Sequence, residues 1–123
     1  MQGTWLLESI TVYGRPVVIP LESPRWSGPP IFRFWSDGRV TGHLPCNAVS
    51  GSYEFDGHIL TWDMRSEAIA CLEPEGVMQA EEQLHSLLWS DTVSVEFDEQ
   101  DSALATLFAG DYVVATFRRA PAG

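Results

Sequence analysis

The sequence predicts an α+β domain in which a strongly curved antiparallel β-sheet, a half-open barrel, has one late helix packed against it. Three observations predict this class. Apolar residues alternate at period two over most of the chain, two Asp-Gly pairs mark tight turns, and a 3.6-residue period is found in one stretch only. Strands, then one helix, then more strands are an order typical of α+β folds. The length fits one domain over residues 1–123, with its core over 3–119.

The first strand is predicted over Gly3–Val12, where Trp5 and Leu7 share one face. Residues 14–30 follow and carry five prolines, which remove backbone donors and disfavour both helix and central strand. An ordered loop is therefore expected there.

Two hairpins come next, because Asp37-Gly38 and Asp56-Gly57 each separate two short runs of strand-forming residues. The paired ranges are 31–35 with 39–42, and 51–55 with 58–62. Three further strands are predicted near the end of the chain. Their alternating positions are Val93, Val95 and Phe97, then Leu104, Thr106 and Phe108, then Val113, Ala115 and Phe117.

A helix is predicted over Pro74–Trp89, between these two groups of strands. Its apolar stripe consists of Val77, Ala80, Leu84, Leu87 and Leu88. Its polar residues fall largely on the other side, and they are Glu81, Glu82, Gln83 and His85. Pro74 suits the first turn of such a helix.

The charge is strongly acidic, with 17 acidic residues against 7 basic ones and a formal net charge of -10. All the basic residues are arginines, so a P-loop lysine and a Schiff-base lysine are excluded. Nucleic acid and other phosphates are poor partners for this charge. The acidic surface either keeps the protein soluble or meets a basic partner. No apolar run is long enough to cross a bilayer, so we expect no transmembrane segment.

Residues that carry chemistry are few. The three histidines, at positions 43, 58 and 85, have no metal-ligand spacing, and no G-x-S-x-G nucleophile motif is present. We therefore expect no cofactor, no metal and no enzymatic activity. The rival hypothesis is a small enzyme that pairs a carboxylate with His43 or His58, which requires a concave site holding one of them beside an acid.

Cys46, Cys71 and Asn47 leave alternatives open. The cysteines lack C-x-x-C spacing, so they either bridge each other or are two buried free thiols of a cytosolic protein. Asn47 is either an amide that contacts a ligand or a turn residue that caps backbone groups.

The aromatic content is high, with five tryptophans and six phenylalanines. Most of these side chains must form the core. We predict that Phe34 and Trp62 border a partly open apolar cavity near the helix, which accepts an acyl chain or an apolar segment of a partner. A barrel filled by its own side chains is the alternative.

The order of several short motifs resembles the META domain family, of which the heat-shock protein HslJ is a member. The motifs are Gly3-Thr4-Trp5-x-Leu7, Asp37-Gly38-Arg39-Val40-x-Gly42, Cys46-Asn47, Gly51-x-Tyr53, Ile69-Ala70-Cys71, Glu82 and Leu84 in the helix, and a final hairpin over 104–117. The sequence departs from the family pattern at Pro45, where glycine is usual, and at Glu67-Ala68-Ile69, where Thr-x-Met is usual.

The resemblance implies a compact α+β domain without enzymatic activity, in bacterial envelope or secreted proteins that are often lipoproteins and are linked to heat shock and other stress. It also implies a Cys46–Cys71 disulfide. We therefore expect a monomeric, envelope-associated binding or stability module for a protein partner or a small apolar ligand, whose export signal is not present in this chain. A lipocalin-like ligand binder is the competing resemblance, because Gly3-x-Trp5 and Arg118 echo the lipocalin signature.

Overall fold

The computed structural model describes residues 1–90 and 92–121 of the chain. Within these residues there are nine strands and one helix. In chain order they are β1 (Gly3–Val12), β2 (Arg15–Pro16), β3 (Ile31–Phe34), β4 (Arg39–His43), β5 (Ala48–Phe55), β6 (Ile59–Ser66), α1 (Val77–Leu88), β7 (Thr92–Phe97), β8 (Leu104–Ala109) and β9 (Val113–Arg119).

The strands form a closed barrel. From β3 to β9, each strand pairs antiparallel with the one that follows it. β1 pairs with β3 on one side and with β9 on the other, so eight strands complete the barrel. β2 is a two-residue extension that folds back on the end of β1. The predicted curved antiparallel sheet with one helix is confirmed, and its curvature continues until the first and last strands meet.

A bulge in β1 selects which of its residues face inward. Trp5 and Leu7 are buried, as the alternation predicts, but the register with β9 shifts between Leu7 and Ser9. The extra residue, Glu8, moves the inward positions by one, so Ile10 is buried and Ser9 is exposed.

Two glycines allow β4 and β5 to approach their neighbouring strands closely. A side chain at Gly42 would collide with the backbone of Ile31, and one at Gly51 would collide with the backbone of Asp63. Glycine at these two positions therefore permits the tight curvature of β4 and β5.

In β8 the predicted period-two alternation is present, but the residues named for it are not the buried ones. The buried positions are Ala105, Leu107 and Ala109, whereas Leu104, Thr106 and Phe108 are only partly buried. Both faces of this strand carry apolar residues, so its own period does not select one. The pairing with β7 and β9 makes the selection.

The helix lies across one end of the barrel, which we call the helix mouth. At this end β1 finishes and β9 begins, and the β4–β5 turn (residues 44–47) lies there too. Leu84, Leu87 and Leu88 join the core formed by the inward strand residues, which confirms the predicted packing of the apolar stripe. The helix is shorter than predicted, because Gly76, with a φ of 85°, precedes its first turn and leaves Pro74 outside it.

Candidate functional site

Three pieces of chain meet at the helix mouth: the β4–β5 turn, the irregular segment of residues 67–76 between β6 and α1, and α1 itself. Glu81 joins two of them. Among the described residues it is the one buried carboxylate, with 1% exposure. Its Oε1 accepts hydrogen bonds from the backbone N–H groups of Cys46 (2.7 Å) and Asn47 (2.8 Å), and its Oε2 accepts one from the Asn47 side-chain amide.

The prediction that Glu81 lies on the outer, polar side of the helix is wrong. Position 81 is four residues after Val77 and three before Leu84, so it falls within the apolar stripe. The spacing contains this signal, but the residue type concealed it. A carboxylate is tolerated there because the β4–β5 turn supplies donors to both of its oxygens.

Asn47 connects the turn to the 67–76 segment. Its Oδ1 accepts a hydrogen bond from the Ile69 N–H (2.7 Å), and its Nδ2 donates to the Ile69 carbonyl (2.9 Å) as well as to Glu81. The amide thus pairs with Ile69 as a neighbouring strand would. Because Asn47 is 2% exposed, its side chain is committed to these internal contacts.

The disulfide between Cys46 and Cys71 is confirmed. The two Cα atoms lie 6.0 Å apart and the residues are separated by 25 positions. Both cysteines are buried, and with Val77 and Met78 they form a second, small apolar cluster. The disulfide and the Asn47–Ile69 pair hold the first half of the 67–76 segment, at Cys71 and Ile69.

An ion pair extends this network to the surface. Arg25, from the proline-rich loop, donates to the Cys46 carbonyl (3.2 Å) and to Glu67 Oε1 (2.6 Å), and Glu67 also accepts from the Ala48 N–H (2.8 Å). The hydrogen bond from Arg25 is the main reason that the pKa of Glu67 lies below its usual value. The indole N–H of Trp26 donates to the same Cys46 carbonyl (3.1 Å).

The histidines of the rival enzyme hypothesis make no contact of the kind it requires. The His43 ring stacks on Trp26 with centroids 4.2 Å apart, and its Nδ1 hydrogen-bonds the Leu44 carbonyl (3.0 Å). Burial lowers the pKa of His43. His58 is exposed in the turn before β6. Within the described part of the chain, neither ring is hydrogen-bonded to a carboxylate.

Phe34 and Trp62 lie inside the barrel, with their rings nearly parallel and their centroids 6.3 Å apart. The space that they border is about 10 Å³, and its other walls are Met1, Trp5, Phe32, Leu107 and Phe117. This volume holds no more than about one water molecule. A ligand-binding role for Phe34 and Trp62 remains a prediction, and it requires these side chains to move apart.

No group of three or more His, Cys, Asp or Glu side chains in residues 1–90 and 92–121 could hold a metal ion. No helix in the same residues is both long and apolar enough to cross a membrane.

The fold and this site define a small antiparallel β-barrel whose helix-covered mouth is fixed by a disulfide and a buried carboxylate. The META domain model matches residues 1–121, so the chain belongs to the META domain family. Among solved structures it is similar to a protein from Burkholderia xenovorans determined by NMR, with a TM-score of 0.72, 21% identity and coverage of 98% of this chain and 83% of the other. This second likeness shows the fold alone. None of the curated proteins matches significantly.

Proposed function

We propose that this protein is a non-enzymatic, stress-related binding module of the bacterial cell envelope that acts on a protein partner. The proposal rests on the hydrogen bonds that the polar groups at the helix mouth make with each other and with the backbone. Glu81 and Asn47 bind each other and nearby backbone groups, so neither is free to transfer a proton to a substrate. The arrangement stabilises a surface instead of exposing a reactive group.

The disulfide supports an envelope location. Disulfides form and persist in oxidising compartments such as the bacterial periplasm and are rare in the cytosol. The Cys46–Cys71 bridge closes a loop of 25 residues and so restricts the unfolded chain. A module that works outside the cytoplasm gains stability from such a bridge.

A protein partner is favoured over a small apolar ligand because the barrel interior is full. A space of about 10 Å³ between Phe34 and Trp62 does not admit an acyl chain. The small apolar ligand stays as a second candidate, favoured by the aromatic side chains that line this space.

Chemical cross-linking in the native host tests the proposal. We expect a partner protein to be cross-linked reproducibly in the envelope fraction, with Cys46 and Cys71 oxidised. The His58→Gln variant, changed at an exposed turn residue, serves as the matched control and should give the same product. Recovery of the protein in the cytosol with two free thiols and no cross-linked partner would contradict the proposal.

A further inference from the structure

We infer that a groove at the helix mouth, between the proline-rich loop and α1, docks a protein segment that carries both basic and apolar side chains. The inference rests on the proposed function and names the surface and the chemistry of the partner. Three independent features carry it: the shape of the groove, its exposed apolar side chains and its charge.

The groove consists of two adjoining hollows. The larger has a volume of about 1010 Å³ and lies between the end of β1 with the loop that follows it and the first half of α1. The smaller has a volume of about 720 Å³ and lies between residues 22–24 and 72–75. Glu75 lines both hollows, so they adjoin at this residue.

Large apolar side chains stand exposed along this groove. Leu72 is 91% exposed and Val18 is 86% exposed, and Tyr13 at one end is 76% exposed. The Tyr13 ring stacks on Tyr112 with centroids 4.8 Å apart, so it is held in place at the surface. The backbone of Tyr13 has a positive φ of 52°. Clustered exposed apolar side chains with a polar rim are typical of interaction sites.

The rim of the groove is acidic. The carboxylates that line it are Glu22, Glu73, Glu75 and Glu82, and the basic side chain that lines it is Arg15. In the described part of the chain the salt bridges use other acids, at positions 8, 37, 67 and 101, so the charges of these four carboxylates are not neutralised by an ion pair. Glu22 accepts one hydrogen bond, from the Ser27 hydroxyl (3.4 Å). A segment with lysine or arginine beside apolar residues complements this rim, whereas a nucleic acid or an anionic lipid surface is repelled.

The walls of the groove are fixed by the network already described. Leu72 follows the disulfide-bonded Cys71, and Glu82 follows the buried Glu81. The proline-rich loop is tied to the β4–β5 turn through Arg25. A groove held in this way binds without first having to become ordered, which favours affinity.

Binding of a short synthetic peptide in which lysine and leucine alternate tests the inference, with fluorescence anisotropy as the readout. We expect binding that weakens with added salt, and no binding of the matching peptide in which glutamate replaces lysine. The double variant Val18→Ser, Leu72→Ser should bind the peptide about tenfold more weakly. The control Val114→Ser changes a side chain that is 37% exposed on the outside of β9, and it should bind as the wild type does.

The charge is tested in the same assay. Glu73→Gln with Glu75→Gln should weaken binding and flatten its salt dependence, whereas Glu96→Gln with Glu99→Gln, which removes the same charge from exposed positions elsewhere, should have a much smaller effect. If the control variants weaken binding as much as the groove variants, or if the lysine–leucine peptide does not bind, the inference is overturned.

Photo-cross-linking separates a failure of the inference from a failure of the proposed function. A photoreactive phenylalanine placed at Leu72 should cross-link the partner found in the native host, and one placed at Val114 should not. A partner captured at Val114 but not at Leu72 would overturn the groove and leave the binding module standing. If the cross-linking in the native host yields no partner at all, the proposed function itself fails.

Discussion

Glu81 is the residue on which the helix mouth depends most. A buried carboxylate without hydrogen-bond donors is strongly unfavourable, but here three N–H groups of the β4–β5 turn point at its two oxygens. The dependence is mutual, since the backbone donors of Cys46 and Asn47 would be unsatisfied without it. One side chain therefore fixes the distance between the helix and the barrel.

Replacing Glu81 with alanine should lower the free energy of unfolding by about 3 kcal/mol, because the substitution leaves buried donors without a partner and opens a cavity. Glu81→Gln should lower the free energy of unfolding less than alanine does, because it keeps one acceptor oxygen. It should still lower it, because its NH₂ group faces the N–H donors of the turn. Urea denaturation of the oxidised protein measures both. Glu82→Gln, at the adjacent exposed position, is the control, and a loss there as large as at Glu81 would contradict this account.

His43 should make the stability depend on pH. Burial lowers its pKa below the ordinary value of 6.5, so the unfolded chain takes up a proton before the folded protein does. Neutral His43 therefore makes its full contribution to the free energy of unfolding above about pH 6.5. This contribution declines as the pH falls toward the lowered pKa.

The urea midpoint should therefore decrease between about pH 7 and about pH 5, where the carboxylates with lowered pKa values are still ionised. His43→Phe retains an aromatic ring against Trp26 but does not titrate, so it should reduce this slope. His58→Gln should keep it. Equal slopes in all three proteins would show that His43 does not cause the effect.

At this scale the sequence predicted some site residues and not others. The disulfide was implied by the resemblance to the META domain family, and the structural use of Asn47 was one of the two alternatives that its place in a turn left open. The burial of Glu81 was not predicted, because a carboxylate is assigned to solvent unless its partner is known, even though position 81 falls within the apolar stripe. That partner is the turn at residues 44–47, which is far away in sequence and is positioned only by the fold.

At the scale of elements, α1 is a core element and not a surface decoration. Leu84 is buried among inward strand residues, so Leu84→Ala should lower the free energy of unfolding by about 3 kcal/mol, and Leu84→Asp should prevent stable folding. Glu82→Ala, on the exposed side of the same turn, should change it by less than about 0.5 kcal/mol. Thermal or urea unfolding is the measurement. Unchanged stability in Leu84→Ala would contradict the position of the helix.

The disulfide should stabilise the protein and restrain the 67–76 segment. In the loop-entropy model a bridge of this span contributes roughly 3.5 kcal/mol, and reduction should remove most of that. Thiol titration of the denatured, unreduced protein should find no free thiol. The double variant Cys46→Ala, Cys71→Ala should also exchange the Ile69 amide hydrogen faster, because the Asn47 pair alone then holds it. Equal exchange rates in the variant and the wild type would show that the bridge does not restrain the segment.

Elements were predictable where one face of the chain is clearly more apolar than the other. The two Asp-Gly hairpins and the first half of β1 meet this condition. β8 does not meet it, because both of its faces carry apolar residues. The second half of β1 does not meet it either, because a bulge changes which residues face inward and leaves no local signal in the alternation.

At the scale of the whole molecule, the antiparallel class and the late helix could be predicted, but full closure of the barrel could not. Closure depends on pairing between β1 and β9, more than a hundred residues apart, and on the sharp bends at Gly42 and Gly51. Once the barrel closes, the aromatic side chains fill its interior. We therefore propose that a partner binds at the outer surface, in the acidic groove at the helix mouth.

We propose that the filled barrel binds a partner at its surface and no ligand inside. Titration with a fatty acid, followed by the tryptophan emission to which the interior residues Trp5 and Trp62 contribute, distinguishes the two. We expect an unchanged spectrum, because a space of about 10 Å³ holds no acyl chain. A saturable shift in the wild-type emission that is abolished in the Leu107→Phe variant, whose larger side chain borders the same space and adds no tryptophan, would place the ligand inside the barrel and contradict this proposal.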